Sequence, residues 1–244
     1  MNHILQEIES RQEAFSQLPF FKFLEQGDRI EDARLFVSSV AFFVLSFQDM
    51  LRINEAQTTD PYLFPVAKHH RQEDLGHDLW FLNDIELLGV NCDAANLFSA
   101  QNTEARDAAF EIMAEIFKAS DDRIRLVIPI VLEATGFTFF SRAYHFFERT
   151  GYQGQLQYFS KDHFQVELNH GLFDDEINDR VQSVRLTDEL RQEALDVIDR
   201  IFGSITTMVT SIHKKIVANQ SVAQRAEGSE RLLVDARAVG ALSS

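Results

Sequence analysis

Two short polar stretches, far apart in the sequence, confine what this chain can fold into. HHRQEDLGH occupies 69–77 and HFQVELNH occupies 163–170, near mirror images of one another. The first carries His70, Glu73 and His77 in the spacing H-x2-E-x3-H. The second carries His163, Glu167 and His170 as H-x3-E-x2-H. An α-helix advances by roughly 100° per residue, so positions i, i+3 or i+4, and i+7 share a strip about 60° wide. Each stretch, as a helix, presents two imidazoles and one carboxylate from one face. Imidazole and carboxylate are the ligand types shared by zinc, iron and manganese sites. The two strips take up four of the eight histidines. His69 lies roughly 80° around the helix from His77 and is assigned to the exposed side.

The rest of the chain favours helices. It has only four prolines and ten glycines against 22 phenylalanines, which points to long helices around a wide apolar interior. Apolar residues recur at helical intervals from about 2 to 17. Residues 18–27 read as an aromatic connector plugging the core. The segment from about 30 to 57 is apolar nearly all round and should be largely buried. Asp60 and Pro61 suit the start of a helix that runs to Leu88, ends at Gly89 and carries the first strip, with Pro65 breaking off a first turn. Further helices are expected over about 104–118, 122–149 (kinked at Pro129), 154–175 and 187–218. Residues 172–180 read as a solvated acidic turn. No strand alternation and no Gly-rich phosphate loop occurs. The expected fold is all-α, one domain over 1–220 with a tail over 221–244.

Glu133 sits in the most apolar of these helices, amid Val131, Leu132, Ala134 and Phe137. A carboxylate there is expensive to bury unless it is paired or ligates a metal. It is read as a metal ligand, a third partner for the two strips. The alternative is a glutamate satisfied by an arginine or by a hydroxyl such as Thr135. His145 and His213 fall off these faces and are left out.

Composition excludes several classes. A net charge of -15 repels phosphate backbones, so no nucleic-acid partner is expected. Cys92 is the only cysteine, which rules out an intramolecular disulfide and fits a reducing, cytoplasmic setting. Nothing near it supplies a base, so it is read as structural. There is no signal-peptide core, and no run of about 18 apolar residues, so no membrane span is expected.

The segment HxxEDLGHDLWFLNDIELLG at 70–89, the apolar helix with Glu133, and HxxxExxH at 163–170 together resemble the heme-oxygenase-like iron-containing redox enzymes. That superfamily includes the TenA thiaminases, the oxidase PqqC and the chlamydial CADD-type proteins, and the order and spacing are most similar to the CADD-type diiron oxidases. The resemblance spans about residues 30 to 215. It implies a heme-oxygenase-like bundle of seven to eight helices, a central site with two irons that activates dioxygen, and a homodimer. Carried over by position, it implies His77, Glu133, His163, Glu167 and His170 as ligands. His70 departs from the pattern, because many members place a glutamate there, and Glu73 is the carboxylate expected to compensate. Without it the site holds four imidazoles and two carboxylates, which suits a single iron, manganese or zinc. The TenA mechanism needs a helix-borne cysteine, which Cys92 is not. The tyrosine that some CADD-type proteins carry beside the bridging glutamate is Leu132 here. The function expected is a metal-dependent oxidase or oxygenase that uses O2 on a small organic substrate held in a dry, phenylalanine-lined pocket. The rivals are a metal-free oxidase like PqqC and a non-catalytic metal-binding bundle.

Overall fold

The computed structural model describes the backbone of residues 1–169 and 175–241, and the side chains of 1–165, 177–223 and 225. The described residues form an all-α fold with no strand. Helix α1 (Asn2–Ser16) buries Ile4, Ile8 and Phe15. Residues 18–27, expected as a connector, instead form α2 (Pro19–Gln26). Pro19 opens it, where its missing N–H costs nothing, and Phe20, Phe21 and Leu24 share its buried face.

Helix α3 (Ile30–Gln57) is the long apolar rod placed there from sequence, but it is not largely buried as expected, since only 39% of its most apolar window is covered by the bundle. The expected 60–88 helix is two: α4 (Phe64–Glu73) and α5 (His77–Leu88). The break is at Gly76, whose φ of 95° is a left-handed conformation that L side chains rarely adopt. Asp60 caps a turn before α4, its Oδ1 accepting from the Tyr62 backbone N–H at 2.7 Å. The short α6 (Ala94–Leu97) is capped by Asp93, which accepts from the Asn96 N–H at 2.8 Å. After a 3-10 turn come α7 (Thr103–Lys118) and α8 (Asp122–Thr150), which runs on through Pro129. Then follow α9 (Lys161–Asn169), α10 (Asp175–Ser183) and α11 (Asp188–Ala241). The stretch from about 220 that composition set apart as a tail is thus a continuation of α11. The helices outnumber the expected seven to eight because α2, α6 and α10 form and the first-strip helix divides.

The core lies where α3, α7, α8 and α11 pack on one another, with α2 laid across α8. Phe36 of α3 is fully buried at its centre and meets Phe146 edge-on at 5.6 Å and Phe147 at 5.9 Å. Such edge-to-face pairs suit the ring quadrupoles and contribute beyond the area they bury.

No unbroken run of about 18 apolar residues occurs, yet α3 and α8 are each long and apolar enough, by length and composition, to cross a bilayer. Isolated weakly polar residues such as Ser39 and Thr135 interrupt a run while barely lowering its average. In the bundle 61% of the α8 window is buried, as in the core helix of a packed domain, against 39% for α3.

Candidate metal centre

The first strip does not act as one helix face. α4 ends at Glu73, and the left-handed Gly76 swings the chain before α5 begins at His77. This turn leaves Asp74 between the two histidines. Its Oδ2 lies 3.2 Å from His70 Nε2 and its Oδ1 lies 3.0 Å from His77 Nδ1. Gln48 of α3 pins the turn by donating to the Asp74 carbonyl at 2.5 Å. From the opposite wall, Glu133 of α8 brings Oε1 to 2.5 Å from His70 Nε2. One ligand atom each from His70, Asp74 and Glu133 lies within 4.8 Å of the others, a group able to hold a metal ion.

His163, in the first turn of α9, lies next to this group, against His77. Its Nδ1 lies 2.6 Å from the Tyr158 carbonyl, which can only accept, so Nδ1 carries a proton. Its ring stands 4.5 Å from that of His77, centroid to centroid, and both pack against Trp80. His70, His77 and His163 are all buried.

The electrostatics ask for positive charge. Burial disfavours an imidazolium at His70, but the Glu133 charge and the hydrogen bonds His70 donates to Asp74 and Glu133 outweigh it and push its pKa up to about 10. Burial likewise opposes ionisation of Asp74, and the hydrogen bonds with His70 and His77 overcome it, holding its carboxyl far below the usual range. In the metal-free protein a proton on His70 supplies the positive charge that this pair of carboxylates requires.

Of the seven residues singled out from sequence, His70 and Glu133 fall in the group able to hold a metal ion, while His77 and His163 lie beside it, His77 on Asp74 and His163 against the His77 ring. Glu73 is turned elsewhere, toward His69 at 3.1 Å on the partly exposed side of α4. Asp74 provides the carboxylate expected of it, because the helix break rotates the two positions apart. The clue was Gly76, a breaker inside an otherwise helical pattern. The Glu167 side chain and His170 lie outside the described residues. Thr135 is not the partner of Glu133, since its hydroxyl bonds back to the carbonyls of Val131 and Leu132. His145 pairs with Glu148 at the surface. The thiol of Cys92 is pushed up to about 11 by burial and by Asp93, which leaves it protonated and poorly nucleophilic.

A cavity adjoins the cluster, with Asp74, His77 and Glu133 in its wall and about 890 Å³ of atom-free space, part of it open to solvent. Phe43 and Phe47 of α3, Phe139 and Phe140 of α8, and Met208 and Val209 of α11 form its apolar sides. Among the described residues six phenylalanines reach it, and most of the others pack in the core. Among the described residues no lysine or arginine lines it.

No protein-family model matches the chain, and no curated protein matches it. The functional reading accordingly stands on the residues and their geometry.

Proposed function

We propose that this chain is a non-heme iron oxidase or oxygenase of the heme-oxygenase-like type, using O2 on a small apolar substrate. The observation that carries the reading is the meeting of buried His70 with the half-buried carboxylates of Asp74 and Glu133, within 4.8 Å of one another, at the wall of an apolar cavity. The donor set fits an iron site. Imidazole and carboxylate together suit Fe(II), and two carboxylates crowded on one imidazole nitrogen are stable only around positive charge. His70, Asp74, His77, Glu133 and His163 would hold the metal. Adding Glu167 and His170, as the resemblance implies, gives three carboxylates and four imidazoles, which nearly neutralises two Fe(II). Iron held there supplies one-electron chemistry and an attachment point for dioxygen.

The protein's own groups do the remaining work. Tyr158 fixes the His163 tautomer through its carbonyl, and Gln48 holds the turn that aims Asp74. Phe139, Phe140 and Met208 exclude water from the face where substrate lies. The lining is mostly apolar and holds no lysine or arginine among the described residues, which favours an uncharged apolar substrate. A homodimer also belongs to this proposal, supported by the exposed leucines Leu75, Leu79 and Leu82 along α5 and the turn before it. So does a cytoplasmic location.

A second reading has its own support. With His70 held as an imidazolium at neutral pH, the pocket could oxidise substrate without metal, as in PqqC, the histidines binding substrate and moving protons. Anaerobic loading with Fe(II), followed by metal analysis and oxygen-electrode measurement, separates these. Two irons per chain and O2 uptake support the proposal. Failure to bind iron at any concentration favours the metal-free oxidase, and a bound Fe(II) form stable in air indicates a metal-holding bundle.

A further inference from the structure

Asp84 is fully buried in α5, yet it touches none of the cluster. It lies seven residues after His77, so on the same helical face and roughly 10 Å further along the axis. A buried carboxylate must be satisfied, and the way this one is satisfied is informative. Oδ1 accepts from the backbone N–H of Gln157 at 2.7 Å, and Oδ2 accepts from that of Phe159 at 3.0 Å. The carboxylate thus grips the loop between α8 and α9 from both sides of Tyr158. A second tie lies nearby, where the Tyr152 hydroxyl donates to the Leu87 carbonyl at 2.6 Å.

What the grip controls is the next link. Between the two held amides sits Tyr158, whose carbonyl accepts from His163 Nδ1 at 2.6 Å. Two residues beyond Tyr158, the Ser160 hydroxyl accepts from the His163 backbone N–H at 3.0 Å and so sets the start of α9. The tautomer, the ring orientation and the helix register of His163 are therefore all fixed by a loop that Asp84 fastens to the helix carrying His77. A carboxylate that only filled a core position would not need to reach two amides flanking a histidine's acceptor.

We infer that Asp84 is a positioning residue for the candidate metal centre, locking His163 opposite His77 through the 157–160 loop. This rests on the metal reading for its functional meaning, but the geometric half stands without metal. Outer hydrogen-bond partners of this kind orient ligands, and removing them typically lowers metal affinity about 10–100-fold. Asparagine at position 84 keeps the shape but offers only one acceptor oxygen. Its NH2 group would face a backbone N–H and push the loop away.

The experiment uses the full-length protein with 15N-labelled histidine. In the metal-free wild type, His163 is expected as a single Nδ1–H tautomer. In Asp84→Asn it becomes a mixture at unchanged helicity, and Co(II), used as the probe metal, binds about 10–100-fold more weakly with an altered ligand-field spectrum. Asp122→Asn is the control, since Asp122 also accepts from two backbone amides, those of Thr59 and Asp60, but far from the cluster. It should leave both signals unchanged. A single tautomer and unaltered Co(II) binding in Asp84→Asn would overturn the inference. If the wild type binds no metal while Asp84→Asn still scrambles the tautomer, the metal reading fails and the positioning role survives. Should Asp84→Asn not fold, hydrogen exchange on the wild type decides. Binding at one end of a coupled pair must protect the other, so Co(II) is expected to slow exchange at the Gln157 and Phe159 amides and not at those of Thr59 and Asp60. Equal effects at all four amides would refute the coupling.

Discussion

Replacing Asp74 by asparagine, set against Glu73 by glutamine, tests the most consequential feature of the centre, the break between α4 and α5. The two positions are adjacent in sequence, and an unbroken helix would give the metal-facing role to Glu73. In the broken one Asp74 bonds both His70 and His77, at 3.2 and 3.0 Å. A charge-assisted hydrogen bond contributes about 1.5–3 kcal/mol. Asparagine retains one acceptor oxygen, so Asp74→Asn should cost about 2–3 kcal/mol in the metal-free protein. For a chain of this length each kcal/mol shifts Tm by about 2–4 °C, which gives a fall of about 4–12 °C. Glu73 makes only a partly exposed pair with His69, so Glu73→Gln should cost no more than about 1 kcal/mol. Circular-dichroism melts in chelator read the stability, and metal analysis after iron loading reads the site. Asp74→Asn should lose most bound iron, and Glu73→Gln should keep it. The reverse pattern, iron lost with Glu73 and kept with Asp74, would refute the broken-helix geometry.

Other outcomes follow from the same structure. Glu133→Ala and His70→Ala should each abolish most metal binding, whereas His213→Ala, away from the cluster, should retain it; elemental analysis of the three variants side by side checks this. Gly76→Ala places a Cβ at φ 95°, where nothing crowds it but the backbone conformation itself costs about 1–2 kcal/mol, so a lowered Tm together with weaker metal binding is expected. Burial alone would raise the pKa of Asp122, but the backbone amides of Asp60 and Thr59 and the guanidinium of Arg125 outweigh it and hold the carboxyl below its usual range. A group whose folded pKa is depressed contributes stability that is present above its unfolded pKa and lost as pH falls through the folded value. Asp122→Asn should therefore lower Tm at neutral pH and flatten its decline between about pH 5 and pH 2, and parallel Tm–pH curves for wild type and variant would contradict this.

Much was legible in the sequence for physical reasons that are local. Helical spacing of apolar residues and the scarcity of breakers dictated an all-α chain, and α3, α7 and α8 run close to where periodicity put them. A glutamate amid valine, leucine and phenylalanine had to be paired, and Glu133 is, with His70. The histidines at 70, 77 and 163 were marked by their types and spacing alone. What periodicity could not supply was a change of direction within a helix. Gly76 breaks the first strip, and only the resulting rotation decides that Asp74 rather than Glu73 faces the site. Asp84 was equally hidden, since its role lies in two amides more than seventy residues away that no pattern within α5 encodes. Side-chain type and spacing are written along the chain, so they declare which residues are able to coordinate or be buried. Which of them meet depends on how helices distant in sequence are turned toward each other, and that orientation is settled only when α3, α8 and the 157–160 loop pack around them.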